Sequence, residues 1–513
     1  MKRKIAMAMG VVLMLGSLAA CGGNDPGMAD NKSNQTTGTE SEGASNNGEV
    51  EKVVFSFLAF NKPSEEREQA VEEAINNITR DSIGVEVDLL IMDGASYTQQ
   101  IPLMLAGGEE VDAYSTLGMS YTSHVNSGYC LDLEENDLIQ TYGQGIIDTL
   151  GEEYLNGCRI DGTLYGIHGM TDMASPNGYV IGTEYLEGIG YDGNLNEINE
   201  ISEEELEDIF AKLHEKYPDK TVLVEQPLAR TSVYNDYPGG DWFGVLMDPE
   251  NSLELSDLYE TDEYMDYCKT HYKWNQLGYI SSDALTNQDS ATALVGAGSA
   301  MAYACGMKAG ILSQEGQSTG RQLTGFITDD RYIIPSGGLA TMTWVINSNT
   351  EHPEATMKLM NAFYTNPELT DLLTYGIEGE DYVVGDDGLY TYPDGTDAST
   401  VYHPNVAVFM FNEFIAGVWE GNDPDVWEQT KEMNSKAAVS KAMGFTFDNT
   451  PVMTEYTALT NVYEEYRNQI EYGFLDPEVG IPEMVEKMKA SGLEKYIAEK
   501  QSQLDAWEAE TGK

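Results

Sequence analysis

The sequence predicts an α/β fold, and three observations carry that prediction. Residues 52–58 form a β-like apolar run, and Val85-Glu86-Val87-Asp88-Leu89 forms a second, alternating one. Between them Ala70, Val71, Ala74, Ile75 and Ile78 recur at helical spacing, on a helix that Pro63 opens. Strand, helix, strand at this separation is a βαβ unit. Parallel strands need such a crossover, so a parallel sheet follows. Finally, about 460 residues remain once a polar N-terminal stretch is set aside, enough for two or three domains with substantial cores.

Taken in order, the chain begins with Lys2, Arg3 and Lys4, an apolar run over residues 5–15, and then Leu18-Ala19-Ala20-Cys21. This has the charged, apolar and small-residue parts of an export signal that is removed. Its apolar run is about half the ~20 residues a membrane-spanning helix needs. Small residues running straight into a cysteine resemble the bacterial lipobox, in which Cys21 is lipidated and becomes the new N-terminus; the plain alternative is an ordinary signal that happens to precede a cysteine. Residues 22–48 are almost entirely Gly, Asn, Ser, Thr, Asp and Glu. Such a segment buries too little surface to offset its ordering entropy, so it reads as a flexible leash.

Beyond the βαβ unit, Ser202 with Glu205 makes a capping box for a helix running to about Lys216, before Pro218. Thr221–Val224 is the strand after it. A helix over residues 353–364 is followed by a second capping pair, Thr365 with Glu368. Tyr382-Val383-Val384 and Leu389-Tyr390-Thr391 flank Asp386-Asp387-Gly388, a hairpin signal. From Pro482 the chain reads as helical, broken at Gly492 and resumed with Leu493, Ile497, Leu504 and Trp507. There is no internal repeat and no heptad run.

The charge balance is extreme: 28 Lys and Arg against 86 Asp and Glu, a formal −58. The signal holds three basic residues and no acids, so its removal takes the chain to −61. Such a chain repels nucleic acid and anionic head groups, which excludes binding to phosphate backbones and favours a neutral or cationic ligand. Cys130, Cys158, Cys268 and Cys305 allow up to two disulfides in three pairings, or four free buried thiols; none has Cys-x-x-Cys spacing.

Two motif matches are decoys. Gly316-Gln317-Ser318-Thr319-Gly320 fits Gly-x-Ser-x-Gly, but the approach Ser313-Gln314-Glu315 is polar rather than a strand, so a solvated loop is expected there. Gly188-Ile189-Gly190-Tyr191-Asp192-Gly193 fits Gly-x-Gly-x-x-Gly, yet the next helix starts only at Ser202. The six histidines have no metal-ligand spacing, and Asp394-Gly395-Thr396-Asp397 reads as turn chemistry before it reads as part of a calcium loop. No cofactor and no metal are expected.

What stands out is tryptophan in polar loops. Trp242 lies in Tyr237-Pro238-Gly239-Gly240-Asp241-Trp242-Phe243-Gly244, and Trp419 in Ala416-Gly417-Val418-Trp419-Glu420-Gly421. Loop aromatics beside carboxylates and amides suit sugars, whose C–H faces stack on rings while their hydroxyls find polar partners. Packing is the competing reading for either ring. Trp274, Trp344 and Trp507 fall in helix or strand patterns and read as core.

At this point the residues resemble a known family: the extracellular solute-binding lipoproteins of ABC importers, family 1, the sugar-binding kind. Leu103-Met104-Leu105-Ala106-Gly107-Gly108-Glu109-Glu110-Val111-Asp112 is similar to its helix, glycine turn and Asp-started strand, and Gly128-Tyr129-Cys130-Leu131-Asp132-Leu133 to its next segment. Asp161-Gly162-Thr163-Leu164-Tyr165-Gly166-Ile167 resembles the strand entering the first interlobe crossing; the family usually has proline where this chain has His168. Gly298-Ser299-Ala300-Met301 and residues 340–367 resemble the second lobe's buried strand and the return crossing. Residues 373–382 and the end from Gly444 look like the LipO-like branch, which carries an extra C-terminal domain of unknown function.

The resemblance implies a two-lobed periplasmic-binding-protein-like fold of type II, its lobes joined by crossing strands, with a helical C-terminal extension. It divides the chain into signal (1–20), lipidated linker (21–49), first part of lobe 1 (50–165), lobe 2 (166–336), return crossing with the rest of lobe 1 (337–395), and a helical region packed on the lobes (396–513). By position it implies that Phe60, Asn61 and the loop 115–121, with Thr116 and Tyr121, face the interlobe cleft, and that Asp172 and Glu225 contact the ligand. With Trp242 and Trp419 these are the candidate ligand residues. The implied function is a binding component, not an enzyme: a monomer held on the outer face of the cell membrane by a lipid on Cys21, handing an oligosaccharide to permease subunits. A secreted hydrolase, a surface adhesion lipoprotein and a binder of a non-sugar solute such as a peptide remain alternatives.

Overall fold

The computed structural model describes residues 50–225, 234–405 and 407–512. The signal, Cys21 and the linker lie outside the described residues. Two five-stranded sheets organise the molecule. In the first the order is Val85–Asp93, Glu51–Ala59, Ala113–Ser115, Thr343–Ile346, Gly166–His168. The first three strands are parallel, and Thr343–Ile346 runs antiparallel to both its neighbours. The predicted βαβ unit is its nucleus: Glu51–Ala59 pairs with Val85–Asp93 along its whole length, across the helix Glu65–Ile83. That helix starts at Glu65, two residues after Pro63. Ser64 is its N-cap, accepting from the Arg67 amide, and Gly84 closes it in the left-handed conformation that glycine adopts without strain.

Alternation along the strands sends side chains to two faces. Val53, Phe55, Phe57, Trp344 and Ile346 enter one core; Leu58, Tyr114 and Val345 enter the other. The first core also takes Tyr402, Met410 and Phe411, so part of the region expected to pack outside the lobes is built into lobe 1. Phe55 and Phe411 each lie with ring centroids 4.7 Å from Trp344, whose indole N–H donates to the Met410 carbonyl at 2.6 Å.

The second sheet has the order Ile198–Glu200, Leu323–Ile327, Asn177–Gly182, Ala300–Gly306, Thr221–Val224. Its central strand Asn177–Gly182 is antiparallel to both neighbours. Residues 169–176 carry the chain out of lobe 1, and residues 328–342 bring it back. A third segment runs beside these two: Met170 bridges Asn412, and Ile333–Ile334 pairs with Ala438–Val439. At the C-terminus the helices Met453–Glu471, Pro477–Ala490 and Leu493–Thr511 share one core with Phe243, Val245, Leu258 and the helix Asp262–Gln276. This extension therefore packs against a segment of the chain that lies between two strands of lobe 2.

Several local expectations are corrected. The Gly-x-Ser-x-Gly stretch is no loop but the helix Ile311–Thr319, with Ser318 on its exposed side. Asn366, not Thr365, caps the next helix by accepting from Glu368 and Leu369, with Pro367 in the first turn. The helix expected from Pro482 starts at Pro477, because the Asp476 carboxylate caps it there and Pro482 falls inside. Trp274 and Trp344 are core, as expected, and Trp507 packs half-buried on Phe445. No disulfide joins Cys130, Cys158, Cys268 and Cys305, and all four are buried.

Candidate functional site

Strand direction locates the cleft. Gly166–His168 ends where the first crossing begins, and its antiparallel and parallel neighbours then bring Ala59, Asp93 and Ser115 to the same edge of lobe 1. In lobe 2, Asn177 receives that crossing and pairs with Gly306, so the carboxyl ends of Ala300–Gly306 and Thr221–Val224 face it. Both sheets thus turn their carboxyl edges toward the crossings, the position at which open α/β sheets bind ligands.

On the lobe 1 side Phe60 is 63% exposed although it is a large apolar ring. Its backbone is pinned: the amides of Phe60 and Asn61 donate to the Pro404 carbonyl at 3.1 and 3.3 Å, and Asn61 Nδ2 donates to the His403 carbonyl at 3.0 Å. That pairing joins Phe60 to an aromatic wall. Phe409 lies 6.4 Å from Phe60, while His403 and Tyr392 lie 4.9 and 4.7 Å from Trp419. Trp419 also packs 5.4 Å from Tyr375, and Gly417 lets its loop run against the Tyr390 ring, in space that any Cβ would occupy. Burial holds His403 neutral, its pKa pushed down to about 4, and its Nδ1 has no hydrogen-bond partner. Just beyond Trp419, Gly421 touches Gln317 and Ser313 of lobe 2, so this wall stands where the two lobes meet.

At the first crossing Asp172 is one-third exposed, and Lys308 Nζ, from the end of the lobe 2 strand, lies 3.5 Å away. Glu413, in the third segment, is buried and accepts from the Thr171 hydroxyl at 2.9 Å. Burial first, and then the Asp172 charge, push the Glu413 carboxyl up to about 8. Asn434 ties the same strap to the crossing, accepting from the Met173 amide at 2.9 Å and donating to the Thr171 carbonyl at 2.7 Å.

Of the residues expected from the sequence, Phe60, Asn61, Asp172 and Trp419 gather around this edge. Glu225 is buried at the carboxyl end of its strand, with His271 Nδ1 2.8 Å from its Oε1. Thr116 and Tyr121 are held inside lobe 1. The Thr116 hydroxyl lies 2.7 Å from that of Thr343, and the Tyr121 hydroxyl donates to the Cys158 carbonyl at 2.6 Å. Of the loop 115–121, only residues 117–120 reach the surface. Trp242 is not the partnerless loop ring that its glycines suggest: it is half-buried, 4.4 Å from Tyr237 and stacked at 6.1 Å on Tyr463 of the C-terminal helices. Its loop is clamped there because Asp241 accepts from Lys500 at 2.9 Å and from Tyr496 at 2.7 Å. Phe409, His403, Lys308 and Glu413 were not singled out. None sits in a motif, and one glutamate among so many acids carries no local signal.

The comparisons agree with this architecture. Residues 441–509 match the DUF3502 domain of unknown function. Over 506 residues the chain is 24% identical to a carbohydrate ABC transporter substrate-binding protein of Streptococcus pneumoniae serotype 4, covering 96% of each. It superposes on the crystal structure of the N-glycan transport solute binding protein NgtS from Streptococcus pneumoniae with a TM-score of 0.76, at 22% identity, covering 89% of this chain and 98% of that one. NgtS in complex with Man1GlcNAc and with Man5GlcNAc gives 0.66 and 0.63, again at 22% identity and 89% of this chain, with 99% and 98% of theirs. The chain therefore has the two-lobed fold of the solute-binding proteins it superposes on, with a region matching DUF3502 over residues 441–509.

Proposed function

We propose that this chain is the extracellular solute-binding component of an ABC importer and that it takes an uncharged oligosaccharide between its lobes. The observation that carries the reading is the exposed Phe60 joined to the Phe409, His403 and Trp419 wall, at the edge where both sheets present the carboxyl ends of their strands. An exposed ring backed by partly buried ones, next to fixed polar groups, matches the amphipathic surface of a pyranose. The carbohydrate-transport names of its relatives support the same class of ligand. In this reading Phe60, Asn61, Asp172, Glu225 and Trp419 contact the sugar, while Trp242 holds the C-terminal domain to lobe 2.

Lobe closure over the ligand buries it and forms the surface that permease subunits recognise; the ligand drives closure only by binding the closed form more tightly. The protein binds without turnover and is anchored through a lipid on Cys21. The test is a thermal-shift screen of neutral glycans, including Man1GlcNAc and Man5GlcNAc, followed by titration calorimetry and recovery of the glycan after long incubation. A rise in melting temperature with intact glycan is expected; no stabilisation by any neutral glycan, or cleavage by the pure protein, overturns the proposal.

A further inference from the structure

Lobe 2 contains a cavity of about 710 Å³, inside the size range of small-molecule sites. Its lining comes from lobe 2 and from Tyr472 of the C-terminal region, with no contribution from the lobe 1 sheet. It runs under the loop 281–290 along the strand Thr221–Val224 and ends at Glu225, on the edge that faces the cleft. Leu223, Leu294 and Ala300 form an apolar floor, and Asn287, Gln288 and Thr292 offer side-chain amides and a hydroxyl.

Its key acceptors are held in place before any ligand arrives. His271 Nδ1 fixes the Glu225 carboxylate at 2.8 Å from behind, both side chains being buried, and Tyr303 donates its hydroxyl to Glu315 at 2.5 Å. Acceptors already immobilised cost less to order when a ligand binds. Asp283 and Asp289 add two more carboxylates, and no lysine, arginine or histidine is among the described lining residues. A cavity with this surface accepts hydrogen bonds from hydroxyls and repels any carboxylated or sulfated sugar, the more so in a chain of this net charge.

We infer that lobe 2 carries a sugar subsite of its own, which takes an uncharged pyranose branch of a glycan whose main part lies in the cleft. The inference rests on the function proposed above and adds to it that the ligand is branched or long enough to leave the cleft at Glu225.

The test compares Man1GlcNAc with Man5GlcNAc by calorimetry on the parent and three variants. Ala291→Trp fills the cavity from its rim. Glu315→Gln keeps the shape and the bond to Tyr303 but removes a charge, and it secures the result if the bulky variant fails to fold. Phe60→Ala perturbs the cleft alone. The expected result is a tenfold or greater loss of Man5GlcNAc affinity for Ala291→Trp and a three- to tenfold loss for Glu315→Gln, with Man1GlcNAc binding unchanged in both, while Phe60→Ala weakens both glycans. Unchanged Man5GlcNAc affinity in folded Ala291→Trp and Glu315→Gln overturns the subsite and leaves the transport function standing. Equal weakening of both glycans by the two cavity variants also overturns it, since the cavity is then not separate from the cleft. A parent that binds neither these nor any other neutral glycan overturns the proposed function, and the subsite with it.

Discussion

Phe60→Ala separates ligand recognition from stability, because most of the ring faces water while its backbone is pinned. A phenylalanine side chain presents about 200 Å² of surface, and at 63% exposure about 125 Å² of it faces water. A pyranose covering half of that removes ~60 Å² of apolar surface from solvent, worth ~1.5 kcal/mol at ~25 cal/mol/Å². The glycan dissociation constant should therefore rise about tenfold. Stability should change by only ~1–2 kcal/mol, less than for a core phenylalanine, because about a third of the residue is covered and the amide bonds to Pro404 survive the substitution. Calorimetric titration and thermal melting of the same purified variant give both numbers. A variant that binds glycan as tightly as the parent refutes the reasoning. A large loss of melting temperature would show instead that the exposed ring is structural.

Trp242→Ala should behave in the opposite way: losing a half-buried ring packed on Tyr237 and Tyr463 costs ~2–4 kcal/mol of stability, seen as earlier melting, while glycan affinity stays within twofold. Lys500→Met leaves the Asp241 carboxylate buried without its cation and should destabilise the C-terminal region by ~3–5 kcal/mol; adding Asp241→Asn should recover part of that loss, and a double variant no better than the single one would count against a coupled pair. Because the Glu413 carboxyl is raised from 4.5 to about 8, its protonated form favours folding: that contribution is complete below pH 4.5 and is lost as the pH rises through 8. Melting temperature should fall over this window in the parent, and Glu413→Gln should flatten the fall; identical pH profiles would rule the residue out. Cys21→Ala should yield a protein released from the membrane or left uncleaved, checked by fractionation and lipid labelling.

The α/β class was legible from local pattern alone. The alternating run at Val85, the helical spacing through Ile75 and the Ser202–Glu205 box each depend on residues within one turn or one strand, so neighbours in sequence state them directly. Small errors arose where two local signals competed. Pro477 and Pro482 both look like helix openers, and only the Asp476 cap separates them. Thr365 and Asn366 are both good caps, and the side chain that reaches the free amides decides.

The candidate site was legible in part. Phe60 follows the first strand, and its place at the sheet's carboxyl edge follows from topology. Whether its ring faces water was decided by Pro404, more than three hundred residues away in sequence, which holds the backbone in position. The same distance explains Trp242: its glycines advertise a loop, but nothing near it in sequence announces Tyr463, or that Lys500 would bury its charge on the neighbouring Asp241. By itself the sequence determined the acidic charge, the first strand–helix–strand pattern and the Ser202–Glu205 cap, since these act between adjacent residues or through bulk composition. Only the tertiary structure decided which aromatic rings are walls and which are core. Burial depends on partners brought together by chain crossings, and strand and helix periods say which face a side chain occupies but not what lies opposite it.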